Sequence, residues 1–228
     1  MPEMSAISAM SAPTDARVLF TRNDDALAVV ERYAGWLVGP GVERGLLGPR
    51  EPDRIWDRHL INCALLEELV PPTGSVCDVG SGAGLPGIVL AAMRPAQPFT
   101  LLEPLLRRAT FLTEVVQDLG LANVTVVRDR AEDYAKSRPG HDVVVARAVA
   151  PLGRLAGWAI PLLRPEGLLL AMKGDSAVSE LVDAASVLDA AGVVDRAVLD
   201  VGQGGNVTHV VRVVRPPGPL IEPATEGR

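Results

Sequence analysis

The run Asp78 to Leu90, DVGSGAGLPGIVL, constrains this chain more than any other stretch. It grows out of a short apolar segment, SVCDVG (75–80), and leads into a helical pattern that reaches about Met93. A strand that ends in a glycine loop and feeds a helix builds a ligand site. Glycines permit the tight turn and the close approach of a ligand, and the first N–H groups of the helix face it. Pro86 suits the first helical turn, where it sacrifices no hydrogen bond. Two signatures overlap here. Gly80, Gly82 and Gly84 read as G-x-G-x-G, and Gly82, Gly84 and Gly87 read as G-x-G-x-x-G, the dinucleotide fingerprint. The loop alone leaves open whether it holds a nicotinamide dinucleotide or S-adenosylmethionine.

The flanking sequence alternates strand and helix. PFTLLE (98–103), NVTVVR (123–128), HDVVVARAV (141–149) and GLLLAMKG (167–174) read as strands. Helices are expected over 104–119, 151–163 and 177–191, the first and last closed by Gly120 and Gly192. Near-continuous apolar strands separated by helices predict an α/β fold with a parallel sheet covered on both faces. VVDRAVLDV (193–201) and NVTHVVRVVR (206–215) are joined by Gly-Gln-Gly-Gly, too short for a crossover, so they form an antiparallel hairpin at the end of the sheet. Ahead of this domain (72–215), two helices are expected over Asp24–Leu37, ending at Gly39-Pro40-Gly41, and over Asp53–Val70, ending at Pro71-Pro72; with their loop they form a helical extension, 23–71. Residues 1–22 and 216–228 read as a disordered and a flexible tail.

At 228 residues and 48% apolar content, the chain is long enough for a real core. No apolar run approaches the roughly 18 residues of a membrane span. No signal peptide is legible, and Cys63 and Cys77 sit in apolar contexts without ligand spacing, so a cytoplasmic protein with reduced thiols and no metal is expected. The net charge of −6 argues weakly against a nucleic-acid partner, because phosphate contacts need cations. A rim of arginines at the carboxyl edge of the strands, with the acids elsewhere, would reconcile the two.

Features outside the loop tilt the choice of ligand. Asp78, two residues before Gly80, can meet an ammonium and would repel a pyrophosphate. Glu103 ends the second strand, where an acid accepts from ribose hydroxyls; either cofactor has a ribose. Asp129–Asp133 follows the third strand, in place to contact an adenine edge. The chain ends in a hairpin with no second catalytic domain, which suits an already activated methyl donor better than a dehydrogenase. A small-molecule methyltransferase, an NAD-binding oxidoreductase and a catalytically silent RNA-binding factor remain as rivals.

The runs Asp78–Gly87, Arg130-Ala131-Glu132, Ala146-Arg147-Ala148 and Ala171-Met172-Lys173-Gly174, with Arg58-His59-Leu60 before them, resemble the bacterial small-subunit rRNA guanine-N7 methyltransferases, also known as glucose-inhibited division protein B. The resemblance covers roughly 24–214. It implies a class I, Rossmann-like methyltransferase fold: a seven-stranded, mostly parallel sheet with an antiparallel last strand and a small helical N-terminal extension. It also implies methyl transfer from S-adenosylmethionine to N7 of a guanine in 16S rRNA of the 30S subunit, with loss of activity linked to streptomycin resistance. Cofactor contacts then fall on Asp78, Gly80, Gly82, Gly84, Leu85, Glu103, Ala131, Glu132 and Arg147. The region 35–52 departs from the family's pattern. A monomer is expected.

Guanine N7 carries a lone pair and no proton, so attack on a sulfonium methyl needs no general base. Alignment then supplies the catalysis. Arg147 and Lys173, at the ends of the fourth and fifth strands, are the candidate catalytic and RNA-holding cations. Arg54, Arg58 and His59 are candidate RNA contacts, with Asp53 and Asp57 beside them, and Arg128, Arg130 and Arg154 are candidates for a basic rim. His209, Trp56 and Trp158 are expected to pack.

Overall fold

A computed structural model describes residues 11–20, 24–138, 140–203 and 206–218. Seven strands form one sheet in the order β3-β2-β1-β4-β5-β7-β6. They are β1 (Val76–Val79), β2 (Phe99–Leu102), β3 (Val124–Val127), β4 (His141–Arg147), β5 (Leu163–Lys173), β6 (Arg196–Gln203) and β7 (Asn206–Val214). β1 to β5 run parallel, and β7 lies antiparallel to both β5 and β6. The expected terminal hairpin is therefore present, with β7 inserted between β5 and β6. β5 begins at Leu163, four residues earlier than its apolar run suggests. The helix before it is correspondingly shorter, Leu152–Ala159 with a 3-10 turn to Leu162.

The chain order reverses on either side of β1, whose neighbours are β2 and β4. Such a switch point opens a crevice at the carboxyl ends of the strands. Strand side chains alternate between two apolar layers. Val76, Val143, Val145, Leu170 and Met172 share a core with α2 (Asp24–Trp36), α3 (Ile61–Leu65), α4 (Gly87–Met93) and α5 (Leu106–Leu119). Cys77, Val79, Val144, Ala146, Leu169 and Ala171 share the other with α6 (Ala131–Ser137), α7 (Leu152–Ala159), α8 (Ala177–Asp183) and α9 (Ala185–Ala190). Among the described residues, no helix is long and apolar enough to cross a membrane.

The N-terminal extension differs most from its sequence pattern. Residues 12–20, expected to be disordered, include α1 (Thr14–Arg17) and a 3-10 turn, Val18–Phe20; Ala12, Ala16 and Phe20 are buried in the same core as α2. The apolar face of this turn overrides its helix-poor composition. α2 does not stop before Gly39-Pro40-Gly41 but runs on through a π-helical turn, Leu37–Gly41. Packing favours the extension. Leu37 and Gly41 are buried, and Arg44 lies 5.7 Å from the Phe111 ring on α5 and 2.6 Å from Glu114. The helix expected over Asp53–Val70 is a chain of shorter pieces: a 3-10 turn Pro52–Arg54, a π-helical segment Ile55–Leu60, α3, and a 3-10 turn Leu66–Leu69.

Candidate functional site

The glycine loop adopts the conformations its residues permit. Gly80, Gly82 and Gly84 all have positive φ, 66°, 57° and 106°. At Gly84 a Cβ would lie 2.4 Å from Ile88 Cδ1 and 2.8 Å from the Tyr33 hydroxyl; at Gly87 it would lie 2.6 Å from Asp78 Oδ2. Five N–H groups of this loop, those of Gly80, Ser81, Gly82, Gly84 and Gly87, are occupied. Those of Gly80 and Ser81 bond to the Leu102 carbonyl, and that of Gly84 to the Ser81 carbonyl. Gly82 N–H donates to Glu103 Oε2 at 3.0 Å, and Gly87 N–H to Asp78 Oδ2 at 3.0 Å. Two buried carboxylates thus take two of the donors that a pyrophosphate would use, and set negative charge against it. This arrangement disfavours a dinucleotide.

Asp78 is fully buried, and its Oδ1 has no hydrogen-bond partner. Burial raises the carboxyl to about 7, against the opposing pull of the Gly87 N–H. A buried carboxyl with one unsatisfied oxygen fits a ligand ammonium. Glu103, 1% exposed, donates nothing and accepts from both Gly82 and Leu105. It forms one wall of a cavity of about 420 Å³. Gly80, Ala131, Glu132, Arg154 and Trp158 line the same cavity, so Gly80, Glu103, Ala131 and Glu132 meet as expected. Ribose hydroxyls against Glu103 and an adenine against the Asp129–Glu132 turn are within its chemistry. Leu85 does not line it; its side chain is buried in the core with α2 and α4.

A second cavity, of about 580 Å³, lies across the loop that follows β4. Arg58, Arg147, Lys173, Asp175 and His209 line it. The two cavities share Ala148 and Val149. Ala148 has φ 54°, a left-handed conformation unusual for a residue with a Cβ, and Val149 packs on Gly80, where an added Cβ would lie 3.0 Å from its Cγ1. The loop is held by Lys173, whose Nζ donates to the Ala150 carbonyl at 2.6 Å and pairs with Glu180 Oε2 at 2.7 Å. Glu180 also accepts from Leu152 N–H and from Ser176. Burial pushes the Glu180 carboxyl up, but these hydrogen bonds and Lys173 bring it below its usual range. Expected as a free cation for RNA, Lys173 is instead 8% exposed and committed to the scaffold.

Arg147 ends β4 and bends toward the extension. Nη1 lies 3.5 Å from Cys63 Sγ, and Nη2 contacts the Arg58 carbonyl and His59 Nδ1. His59 is 7% exposed, with Nε2 2.6 Å from Glu51 Oε2. It is therefore a buried linker, where an RNA contact was expected. Burial, then the Arg147 charge, holds its pKa below the usual value. Arg58 is exposed, at 3.0 Å from Glu51 Oε1 and on the wall of the larger cavity. Arg54 is exposed, farther along the same segment, and does not line either cavity. Because Pro52–Arg54 is a 3-10 turn and Ile55–Leu60 a π-helical segment, the simple four-residue spacing of Arg54 and Arg58 does not put them on one α-helical face.

Arg130 and Arg154 border the smaller cavity, but so do Asp129 and Glu132; Arg128 is exposed and does not line it. Both rims are mixed in sign. Trp56 is buried in the core, as expected. Trp158 instead lines the smaller cavity, with the Arg154 guanidinium 4.8 Å from its ring. His209 borders the larger one, bonded through Nδ1 to Asp200 at 2.6 Å. Sequence reading also missed Tyr33, whose hydroxyl donates to the Ala83 carbonyl at 2.8 Å and pins the glycine loop to α2. Glu51, too, was missed. No local pattern marks either residue. Among the described residues, no group of His, Cys, Asp and Glu could hold a metal ion.

A family model described as rRNA small subunit methyltransferase G matches residues 26–210. The chain belongs to that family. It is 57% identical over 204 residues to the Ribosomal RNA small subunit methyltransferase G of Streptomyces avermitilis, covering 89% of this chain and 84% of that one. The protein of the same name from Salinispora tropica is 50% identical over 230 residues, covering 97% and 90%. Among solved structures, the cofactor-bound Rv0187 from MTB superposes with a TM-score of 0.58 at 19% identity, over 90% of this chain and 96% of that one. A SAM-dependent O-methyltransferase from Thermotoga maritima gives 0.53 at 13% identity, over 69% and 66%. At these identities the structures speak to the fold, that of the class I methyltransferases. The family uses S-adenosylmethionine, and the cavity walled by Gly80, Glu103, Ala131 and Glu132 has the chemistry for a nucleoside; Asp78 does not line it but is buried beneath the glycine loop. The orphaned Asp78 oxygen and the carboxylate-capped glycine loop fit that ligand.

Proposed function

We propose that this chain transfers the methyl group of S-adenosylmethionine to N7 of a guanine in 16S rRNA, acting on the small ribosomal subunit in the cytoplasm. The observation that carries the reading is the meeting of two unlike cavities at Ala148 and Val149. One is walled by Glu103 and the glycine loop and suits a nucleoside; the other is bordered by Arg58 and Arg147 and suits a nucleotide.

When bound, S-adenosylmethionine supplies a methyl group already activated on a sulfonium. Asp78, buried beneath the glycine loop with Oδ1 unpartnered, would hold the ligand's ammonium, whose charge would keep that carboxylate ionised. Glu103, on the cavity wall, would accept from the ribose hydroxyls. Ala131 and Glu132, on the same wall, would border the adenine. On the other side of Val149, Arg147 donates to guanine O6 and leaves N7 facing the first cavity. N7 has no proton to lose, so no side chain need act as base, and none at this junction is placed to do so. The protein contributes orientation, worth roughly 7–11 kcal/mol when two reactants are well aligned. Exposed Arg54 and Arg58 would meet RNA phosphates, while Lys173 would act by fixing the loop between the cavities.

The test is methyl transfer from labelled S-adenosylmethionine to undermethylated small subunits, with naked 16S rRNA alongside. Label recovered as 7-methylguanine at one position supports the reading. Tight cofactor binding with label only in small molecules of an extract would move the substrate to another class.

A further inference from the structure

Glu51, His59 and Arg147 come from a loop, a π-helical segment and the end of β4, yet they form one unbroken chain of hydrogen bonds. A guanidinium has five donors and no acceptor. Its contact with His59 Nδ1 therefore requires that nitrogen to be bare. The imidazole proton must then sit on Nε2, where Glu51 Oε2 accepts it at 2.6 Å. The other oxygen of Glu51 takes Arg58 Nη1 at 3.0 Å, so both lone-pair faces of the carboxylate are engaged. We propose that Glu51 and His59 are positioning residues for Arg147: the carboxylate fixes the imidazole tautomer, and the imidazole holds the guanidinium at the wall of the larger cavity. The proposal rests on the reading of Arg147 as the group that binds the target guanine.

The intervening ring has a physical purpose. A carboxylate forked directly onto Arg147 would neutralise it and occupy its donors. With an imidazole between them, the guanidinium is held by a neutral acceptor and keeps its charge for the substrate. Cys63 and the Arg58 carbonyl, also neutral, complete its seat. Glu51 belongs to the GPREP turn of the segment that departs from the family's pattern, so this end of the chain is set by residues of the extension rather than of the sheet.

The arrangement works only while His59 is neutral. The charged groups facing it are Glu51, Arg58 and Arg147, with the buried Cys63 thiol behind. Protonation of Nδ1 removes the acceptor and sets a second cation against Arg147. Methyl transfer should therefore fall at acid pH as His59 titrates. Glutamine at position 51 can still accept the Nε2 proton, but it lacks the charge that favours the imidazolium.

The experiment compares Arg147→Ala, Glu51→Ala and Glu51→Gln in the full chain. It measures melting temperature, S-adenosylmethionine affinity, and kcat and KM for undermethylated small subunits across acid and neutral pH. A misplaced reacting group costs up to about a hundredfold, so Arg147→Ala is expected to lose roughly a hundredfold in kcat and Glu51→Ala roughly tenfold, with KM little changed. Glu51→Gln should recover most of that loss and shift the acid limb of the profile to lower pH. The proposal fails if Glu51→Ala retains full kcat while Arg147→Ala is inactive. It fails equally if Glu51→Ala only melts lower and Glu51→Gln leaves the acid limb in place, since that is a structural role alone. If Arg147→Ala methylates as well as the parent, the reading of Arg147 itself is wrong.

Discussion

Lys173 Nζ lies 2.7 Å from Glu180 Oε2, tying the end of β5 to α8, and the same ammonium holds the Ala150 carbonyl at 2.6 Å. A cation placed at the carboxyl edge of a strand has here become the clamp of the loop between two cavities. Removing it leaves Glu180 partly buried beside Leu152 N–H and Ser176, without its cation. Breaking a buried pair costs about 3 kcal/mol, less here because Glu180 is 22% exposed. Lys173→Ala is expected to lower the melting temperature by several degrees and reduce turnover, with little change in the salt dependence of RNA binding. A salt slope reduced by one charge at an unchanged melting temperature would restore Lys173 as a phosphate contact.

Asp78 makes the ligand-free protein less stable as pH rises. Its folded carboxyl is raised from 3.8 to about 7, so the folded state keeps a proton that the unfolded chain releases. Between about pH 4 and 7 this contribution declines, and it is fully lost above 7. With Asp78 as the proposed ammonium acceptor, binding of S-adenosylmethionine would need the ionised form, so affinity should rise with pH up to about 7, approaching tenfold per unit well below it. Titration calorimetry at several pH values checks this. Asp78→Asn is expected to melt higher than the parent above neutrality, bind the cofactor weakly, and show a flat pH profile.

The Tyr33 hydroxyl reaches the Ala83 carbonyl from α2 at 2.8 Å, so the extension holds the glycine loop directly. Tyr33→Phe removes one hydrogen bond, worth about 1 kcal/mol, and leaves a carbonyl without this donor. A modest fall in melting temperature together with a several-fold loss of S-adenosylmethionine affinity is expected. Unchanged affinity would mean that the loop keeps its shape without α2.

Gly84 tolerates no side chain. Its φ of 106° and an added Cβ 2.4 Å from Ile88 Cδ1 combine backbone strain with overlap. Gly84→Ala should cost at least about 1 kcal/mol of stability and abolish cofactor binding by displacing the loop. Gly82→Ala meets nothing closer than Gly80 O at 3.7 Å, so it suffers only from its φ of 57°. Of the two variants, Gly82→Ala should retain more binding, as measured by cofactor-induced thermal shift.

Local chemistry made much of this molecule legible. Asp78, Gly80, Gly82, Gly84 and Glu103 could be placed because a strand, a glycine turn and a helix N-terminus are short-range structures, and the strand end that follows is a fixed step away in an α/β fold. The apolar runs of β1 to β5 and the short link between β6 and β7 determined the sheet for the same reason. Where packing competes with local preference, the reading failed. Gly39-Pro40-Gly41 looks like a stop, yet the chain continues in a helical turn because Leu37 and Gly41 find a core against α5. The segment at 12–20 looks unstructured, yet Ala12, Ala16 and Phe20 are buried.

The sequence by itself determined the α/β sheet, the position of the glycine loop between β1 and α4 and, through its family motifs, the class of chemistry. Only the tertiary structure decided how the charged residues are used. It turned Lys173 inward to Glu180, buried His59 between Glu51 and Arg147, and left Asp78 with one unsatisfied oxygen. A charge's role depends on what surrounds it, and these partners lie up to 88 residues apart in the chain. No local pattern records such a meeting, because burial and hydrogen bonding are set by the packing of whole elements.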